Sequence, residues 1–295
     1  MKISAYLNSP QKLFGLERAY AILAEIGYDC VDSPFPHFDT RKPLDNTKYG
    51  CPLAELEAKA RVELAAAKAV GMTIGQTHAP FPTYHPDPST FRTLVECQKK
   101  ALYATALLEA PYMVLHAAMP NAWHADTYPD YSRSLNYALL EELLPVAHRY
   151  GVKIALENMP GAKCTTGTTE VLVDYIDMMD SPDLCACFDT GHSLLSGEQI
   201  GDSVRLLGKR LEVLHVHDNN GVNGDKRLQP VLLDQHLPPM MGKQDWDAFG
   251  QALADIGYTG SFSYESILRM PADYYPVVER MQFAFAQALI AKYGL

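Results

Sequence analysis

The chain has 295 residues, with 35 Asp and Glu against 25 Lys and Arg, a formal net charge of −10. That length buries a substantial core without a disulfide or metal staple. The acidic balance argues against nucleic acid or an anionic membrane as partner, because both bind clustered Lys and Arg. Six scattered cysteines (Cys30, Cys51, Cys97, Cys164, Cys185, Cys187) form no CxxC pair, which points to reduced thiols and a cytoplasmic setting. Cys185 and Cys187, two apart in an apolar strand pattern, read as small core residues. The opening MKISAYLNSP breaks at a polar turn, so it does not read as a secretory signal, and no apolar run approaches the ~18 residues of a membrane span.

In chain order, β-rich runs fall at Lys2–Tyr6, Asp29–Asp32, Thr73–Thr77, Tyr112–His116, Lys153–Glu157, Leu184–Asp189, Leu211–His217 and Ser261–Glu265. Between them lie helical runs such as LERAYAILAEIG, LAELEAKARVELAAAKAVG, LNYALLEELLPVAHRYG and WDAFGQALADIG. Gly27, Gly71, Gly151 and Gly257 stand where helix C-caps belong. Strict alternation implies parallel strands with crossover helices, and eight such units close a (β/α)8 TIM barrel, expected as one domain over 1–295. No Gly-rich phosphate loop follows the first strand, which disfavours a dinucleotide-binding sheet. The longest irregular stretches, Ser33–Tyr49, Met119–Tyr131 and Asn219–Gln244, all follow strands, on the face where binding loops gather.

The later strands end in acids and imidazoles: His78, His116, Glu157, Asp189, His215 with His217, and Glu265. Parallel strands deliver these ends to one mouth. Carboxylates gathered there repel one another unless a cation or proton lies among them. Glu157, Asp189, His215 and Glu265 make a mixed oxygen and nitrogen set suited to Mn2+ or Zn2+, with Co2+ or Mg2+ next. His215 and His217 lean to the same side of one strand, and spacing alone does not separate them. Asp234 and His236 form a D-x-H pair on the following loop, placed to fold back over the mouth.

The segments LENMP, FDTGH, LHVHDN, DQHLPP…DW and SYES, in that order, resemble the motifs of the xylose isomerase-like superfamily of sugar isomerases and epimerases. More distantly they resemble the type IV AP endonucleases that share its barrel. The resemblance implies a metal on Glu157, Asp189, His215 and Glu265, with His215 preferred over His217 because it precedes the acidic Asp218 by three positions. It implies substrate or further-metal roles for His78, His116, His192, Asp234 and His236, and leaves room for more than one metal. The implied activity is isomerisation or epimerisation of a carbohydrate through an enediolate, with Glu157 and Glu265 as acid and base. Trp123 and Tyr128, on the loop after the fourth strand, either cover the substrate or anchor that loop on the barrel. The rivals are a multi-zinc phosphodiesterase of the AP-endonuclease type, for which Lys226–Arg227 is the only adjacent basic pair in the strand-7 loop, and a metal-dependent dehydratase or non-catalytic sugar binder on the same scaffold. Epimerases for free ketoses carry an Arg shortly after the strand-7 motif, where this chain has Asn219, Asn220 and Gly221. The aromatic final helix is expected to cover the barrel, with a homo-oligomer through its outer face left open.

Overall fold

A computed structural model describes residues 1–34, 53–81, 83–84, 88–120, 129–161, 165–221 and 233–295. Cys51, Trp123, Tyr128, Cys164 and the pair Lys226–Arg227 lie outside the described residues.

The elements run β1 (Ile3–Tyr6), α1 (Asn8–Phe14), α2 (Leu16–Ile26), β2 (Cys30–Ser33), α3 (Leu53–Ala69), β3 (Thr73–His78), β4 (Thr83–Tyr84), α4 (Pro88–Leu107), β5 (Tyr112–Leu115), β6 (Met119–Pro120) and α5 (Pro129–Tyr150). They continue as β7 (Lys153–Glu157), α6 (Thr169–Met179), β8 (Leu184–Asp189), α7 (Thr190–Leu195), α8 (Ile200–Leu207), β9 (Leu211–His215), α9 (Trp246–Ile256), β10 (Phe262–Ser263) and α10 (Tyr275–Tyr293). Eight strands form one parallel sheet in the order β10-β1-β2-β3-β5-β7-β8-β9. A parallel bridge between Val216 and Tyr264 joins its two edges and closes the barrel. The eight expected strands are all present to within a few residues. The parallel pair β4 and β6 was not anticipated; it links two loops at the mouth. The four glycines named as helix stops all have positive φ, from 65° to 118°, a conformation in which a side chain is strained.

Period-two alternation explains both core layers and the position of the polar ring. Ile154, Leu156, Ala186, Phe188, Leu214 and Val216 face outward into the large core shared with the helices. Val114, Ala155, Cys185, Cys187 and Val213 form a separate cluster inside the barrel, so the two cysteines are core residues as expected. The next interior position on each of these strands is His116, Glu157, Asp189 or His215. The interior rows are apolar at the bottom and end in chemistry at the top. Helix α10 covers the barrel wall, burying Tyr275, Glu279, Gln282, Ala286 and Leu289. Tyr28 and Tyr275 both donate to the buried Glu279 carboxylate, which pins that helix. No helix among the described residues is long and apolar enough to cross a membrane.

Candidate metal centre and active site

Beyond their last ladder bonds the strands are fastened by side chains. The Asn158 amide donates to the Asp189 carbonyl (2.9 Å) and accepts from the Asp189 amide (2.7 Å), stapling β7 to β8. The Thr190 hydroxyl donates to the His217 carbonyl (2.7 Å) and accepts from its amide (3.0 Å), stapling β8 to the end of β9. Asp189 also caps α7, its Oδ1 accepting from the His192 amide at 2.7 Å. The FDTGH motif is thus a strand end, a cap and a returning imidazole in five residues.

Glu157, Asp189, His215 and Glu265 are all buried, and one ligand-capable atom from each lies within 4.8 Å of the others. His215 Nδ1 is 3.3 Å from Glu157 Oε2 and 3.3 Å from Glu265 Oε2. His116 Nε2 stands 3.0 Å from Glu157 Oε2, and His78 Nε2 3.2 Å from Glu265 Oε1. Among the described residues, twelve buried side-chain nitrogen or oxygen atoms lack a hydrogen-bond partner, and seven of them belong to His78, His116, Glu157, His215 and Glu265. A folded protein tolerates few such orphans, so their concentration at one point marks a place built for something else to bind.

The electrostatics agree. Burial favours neutral carboxyls here, but His215 and His116 beside Glu157 outweigh it and hold Glu157 well below the usual carboxylate range. Burial is outweighed in the same way at Glu265, by His215 and His78, so its pKa too is lowered. Burial works against a charged His78, yet Asp32 overrides it and pushes His78 up to about 10. Without an ion, the cluster stays together by filling with protons. A divalent cation does the same work with one charge centre.

A second cluster lies beside the first. His192, His217, Asp234 and His236 also bring ligand-capable atoms within 4.8 Å of one another. Asp234 and His236 do fold back over the mouth, as expected. Two imidazoles there have fixed tautomers: His192 Nδ1 lies 2.8 Å from the Asn158 carbonyl, and His236 Nδ1 lies 3.0 Å from the Glu265 carbonyl. A carbonyl only accepts, so each Nδ1 carries the proton. Each Nε2 then turns toward Asp234 Oδ2, at 3.1 and 2.9 Å. Neutral imidazoles would place two lone pairs against a carboxylate, so a cation or further protons must sit between them. Against the cost of burial, Asp189 and Asp234 raise His192, and Asp234 helps push His236 up to about 9.

The structure separates the two strand-9 histidines that spacing left together. His215 joins the four-residue cluster. His217 donates from Nε2 to Asp189 Oδ2 at 2.8 Å and stacks on His236 with ring centroids 4.1 Å apart. Gly191 makes room for it: a Cβ there would lie 2.1 Å from His217 Cε1. The loop carrying Asp234 and His236 is held by Asp218, which accepts from the amides of Asn219, Gly242 and Gln244 and from Trp246 Nε1.

Sequence reasoning missed two residues of the ring, both on the first strands. Tyr6 ends β1 and meets His78 edge-on, centroids 5.7 Å apart. Asp32, fully buried near the end of β2, touches both His78 and His215 at 3.1 Å. The signal was the same one used for the later strands, a polar residue closing a strand, applied from the third strand onward.

The chain is 26% identical over 264 residues to a D-psicose 3-epimerase of Ruminiclostridium cellulolyticum, covering 84% of this chain and 77% of that one. It is 33% identical over 168 residues to a probable endonuclease 4 of Lysinibacillus sphaericus, covering 52% and 54%. A crystal structure described as IOLI protein with a binding zinc atom superposes with a TM-score of 0.71 at 18% identity, over 99% of this chain and 98% of that one. Residues 20–277 match the xylose isomerase-like TIM barrel family, and the chain belongs to that family.

Proposed function

We propose that the protein is a divalent-metal-dependent isomerase or epimerase of a sugar or sugar phosphate, moving a proton at the carbon beside a carbonyl. The observation that carries this reading is the meeting of unpartnered buried atoms of Glu157, Glu265, His78 and His215 at the barrel mouth. Relatives named as a sugar epimerase and an inosose isomerase support the substrate class, and a zinc-binding structural neighbour supports the metal.

Glu157, Asp189, His215 and Glu265 would hold the ion, a mixed donor set that fits Mn2+ or Zn2+ first and Co2+ or Mg2+ next. When bound, the ion supplies Lewis-acid stabilisation of the negative charge that develops on the substrate oxygens, a contribution of several kcal/mol. The chain's own residues handle the proton. Glu157 on β7 and Glu265 after β10 flank His215, both in carboxylate form and both buried away from water. One takes the proton from carbon as a carboxylate; in epimerisation the other must first have taken up a proton, which it then gives to the opposite face. His192 orients a substrate hydroxyl, while His78 and His116 line the pocket.

The test is metal analysis of the purified protein, then incubation of ketoses, ketose phosphates and inosose-like cyclitols in D2O. Deuterium entering carbon is expected with one of these classes. Bound metal without any carbon exchange would point instead to a dehydratase or a sugar-binding relative. The second cluster favours one further reading, a multi-zinc phosphodiesterase, because His192, Asp234 and His236 would take an additional ion. Zinc-dependent cleavage of a duplex containing an abasic site would favour that reading over the isomerase.

A further inference from the structure

Asp32 is a fully buried carboxylate to which the proposed reaction gives no task. Its Oδ1 lies 3.1 Å from His78 Nδ1, and its Oδ2 lies 3.1 Å from His215 Nε2. The opposite nitrogens of the same two rings face the glutamates. His78 Nε2 points at Glu265 Oε1 (3.2 Å), and His215 Nδ1 points between Glu157 and Glu265 (3.3 Å to each). The rings stack on each other, centroids 4.5 Å apart and planes 19° from parallel, so one carboxylate edge reaches both.

A neutral imidazole has one N–H and one lone pair, and the partner of one nitrogen decides which is which. Carboxylates face both sides of each ring and accept only, so an ion held among Glu157 and Glu265 takes the mouth-facing lone pairs and leaves the proton on each Asp32-facing nitrogen. We propose that Asp32 is a positioning residue, holding His78 and His215 by their far nitrogens so that both rings present lone pairs to the Glu157 and Glu265 carboxylates. The assignment rests on the metal-site reading above.

Asp32, His78 and His215 could alternatively hold an ion directly, since one atom from each lies within 4.8 Å of the others. The surroundings of Asp32 argue against that. Gln76 Nε2 donates to Asp32 Oδ2 at 2.9 Å and His78 Nδ1 lies 3.1 Å from Oδ1, so both carboxylate oxygens already have a nitrogen partner. His78 Nδ1 and Gln76 Nε2 hydrogen-bond to the Asp32 carboxylate, and His215 Nε2 lies at ion-pair distance from it, while Glu157 and Glu265 lie on the other side of the two rings.

Long-range 1H–15N spectra of the zinc-loaded, histidine-labelled protein test this. A proton is expected on His78 Nδ1 and on His215 Nε2. Asp32→Asn keeps the shape but turns one accepting edge into a donor facing N–H. It is expected to lower zinc affinity by about 10- to 100-fold and to change the His215 spectrum, with the circular dichroism of the fold retained. Unchanged zinc affinity in a folded variant, or a bare Asp32-facing nitrogen in the wild type, overturns the assignment. Should the variant fail to fold, the wild-type spectrum decides alone. A wild-type protein that takes up no zinc defeats the metal reading and with it this assignment, whereas zinc uptake with a bare Asp32-facing nitrogen defeats the assignment alone.

Discussion

Glutamine copies the shape of glutamate and removes its charge, which makes Glu157→Gln and Glu265→Gln the sharpest tests of the proposed chemistry. Each variant should lose turnover and bind metal more weakly, since each deletes a base and a ligand at once. Full activity in either one would defeat the acid–base pair. Gly191 tests a different residue-scale constraint. Its Cβ would lie 2.1 Å from the His217 ring and 2.6 Å from Asn219, and both neighbours are buried and hydrogen-bonded. Gly191→Ala should therefore cost about 1–3 kcal/mol of stability by overpacking, read from denaturant unfolding. It should also push His217 off Asp189 and so weaken metal binding, which a purely structural glycine would not do.

At the scale of elements, the loop over the mouth depends on one side chain. Asp218 accepts from two loop amides and the Trp246 indole, while its backbone pairs with Leu237 in an antiparallel bridge. Asp218→Ala would leave buried donors unpaired at about 1–3 kcal/mol each. The loss should reach at least about 2 kcal/mol, with faster proteolysis between Asp234 and Asp245 as its local sign. Barrel and ring were legible in the sequence because apolar strands that end in acid or imidazole break their own pattern from His78 onward. Asp32 closes its strand in the same way, but YDCVDS is short and has an acid at each end, so the break in the pattern is weaker there than from His78 onward. The roles of His215 and His217 were not legible, because they share one face and differ only in which carboxylate they meet. The pair β4 and β6 is two residues per strand, too short to carry a period.

For the whole molecule, the ring of buried charge ties stability to pH and metal together. In the metal-free protein His236 and His78 titrate at about 9 and about 10, above the ~6.5 of an unfolded chain. Their contribution to stability is therefore complete below about pH 6.5 and is lost as the pH rises through 9 to 10. Glu157, Glu265 and Asp234 are shifted the other way. What they contribute is complete above about pH 4.5 and is lost as the pH falls toward their lower folded values. Thermal melts across pH should show both flanks without metal. The alkaline flank should flatten with metal bound, because the ion then replaces the imidazole protons.

The barrel's seam gives this ring a mechanical meaning. Strand β10 is two residues long, and among the described residues the ladder to the β9 side is the single bridge from Val216 to Tyr264, with its hydrogen bonds from Val216 to Ser263 and from Glu265 to Val216. His215 and Glu265 stand on the two banks of that seam, each next to a bridging residue, and belong to chain segments fifty residues apart. An ion held by both acts as a rivet through the joint where the cylinder is thinnest. Hydrogen exchange should therefore slow most at Val216, Tyr264 and Glu265 when metal is added, with little change at α3 or α5 on the far wall. Uniform slowing around the barrel would mean that the joint holds without its rivet.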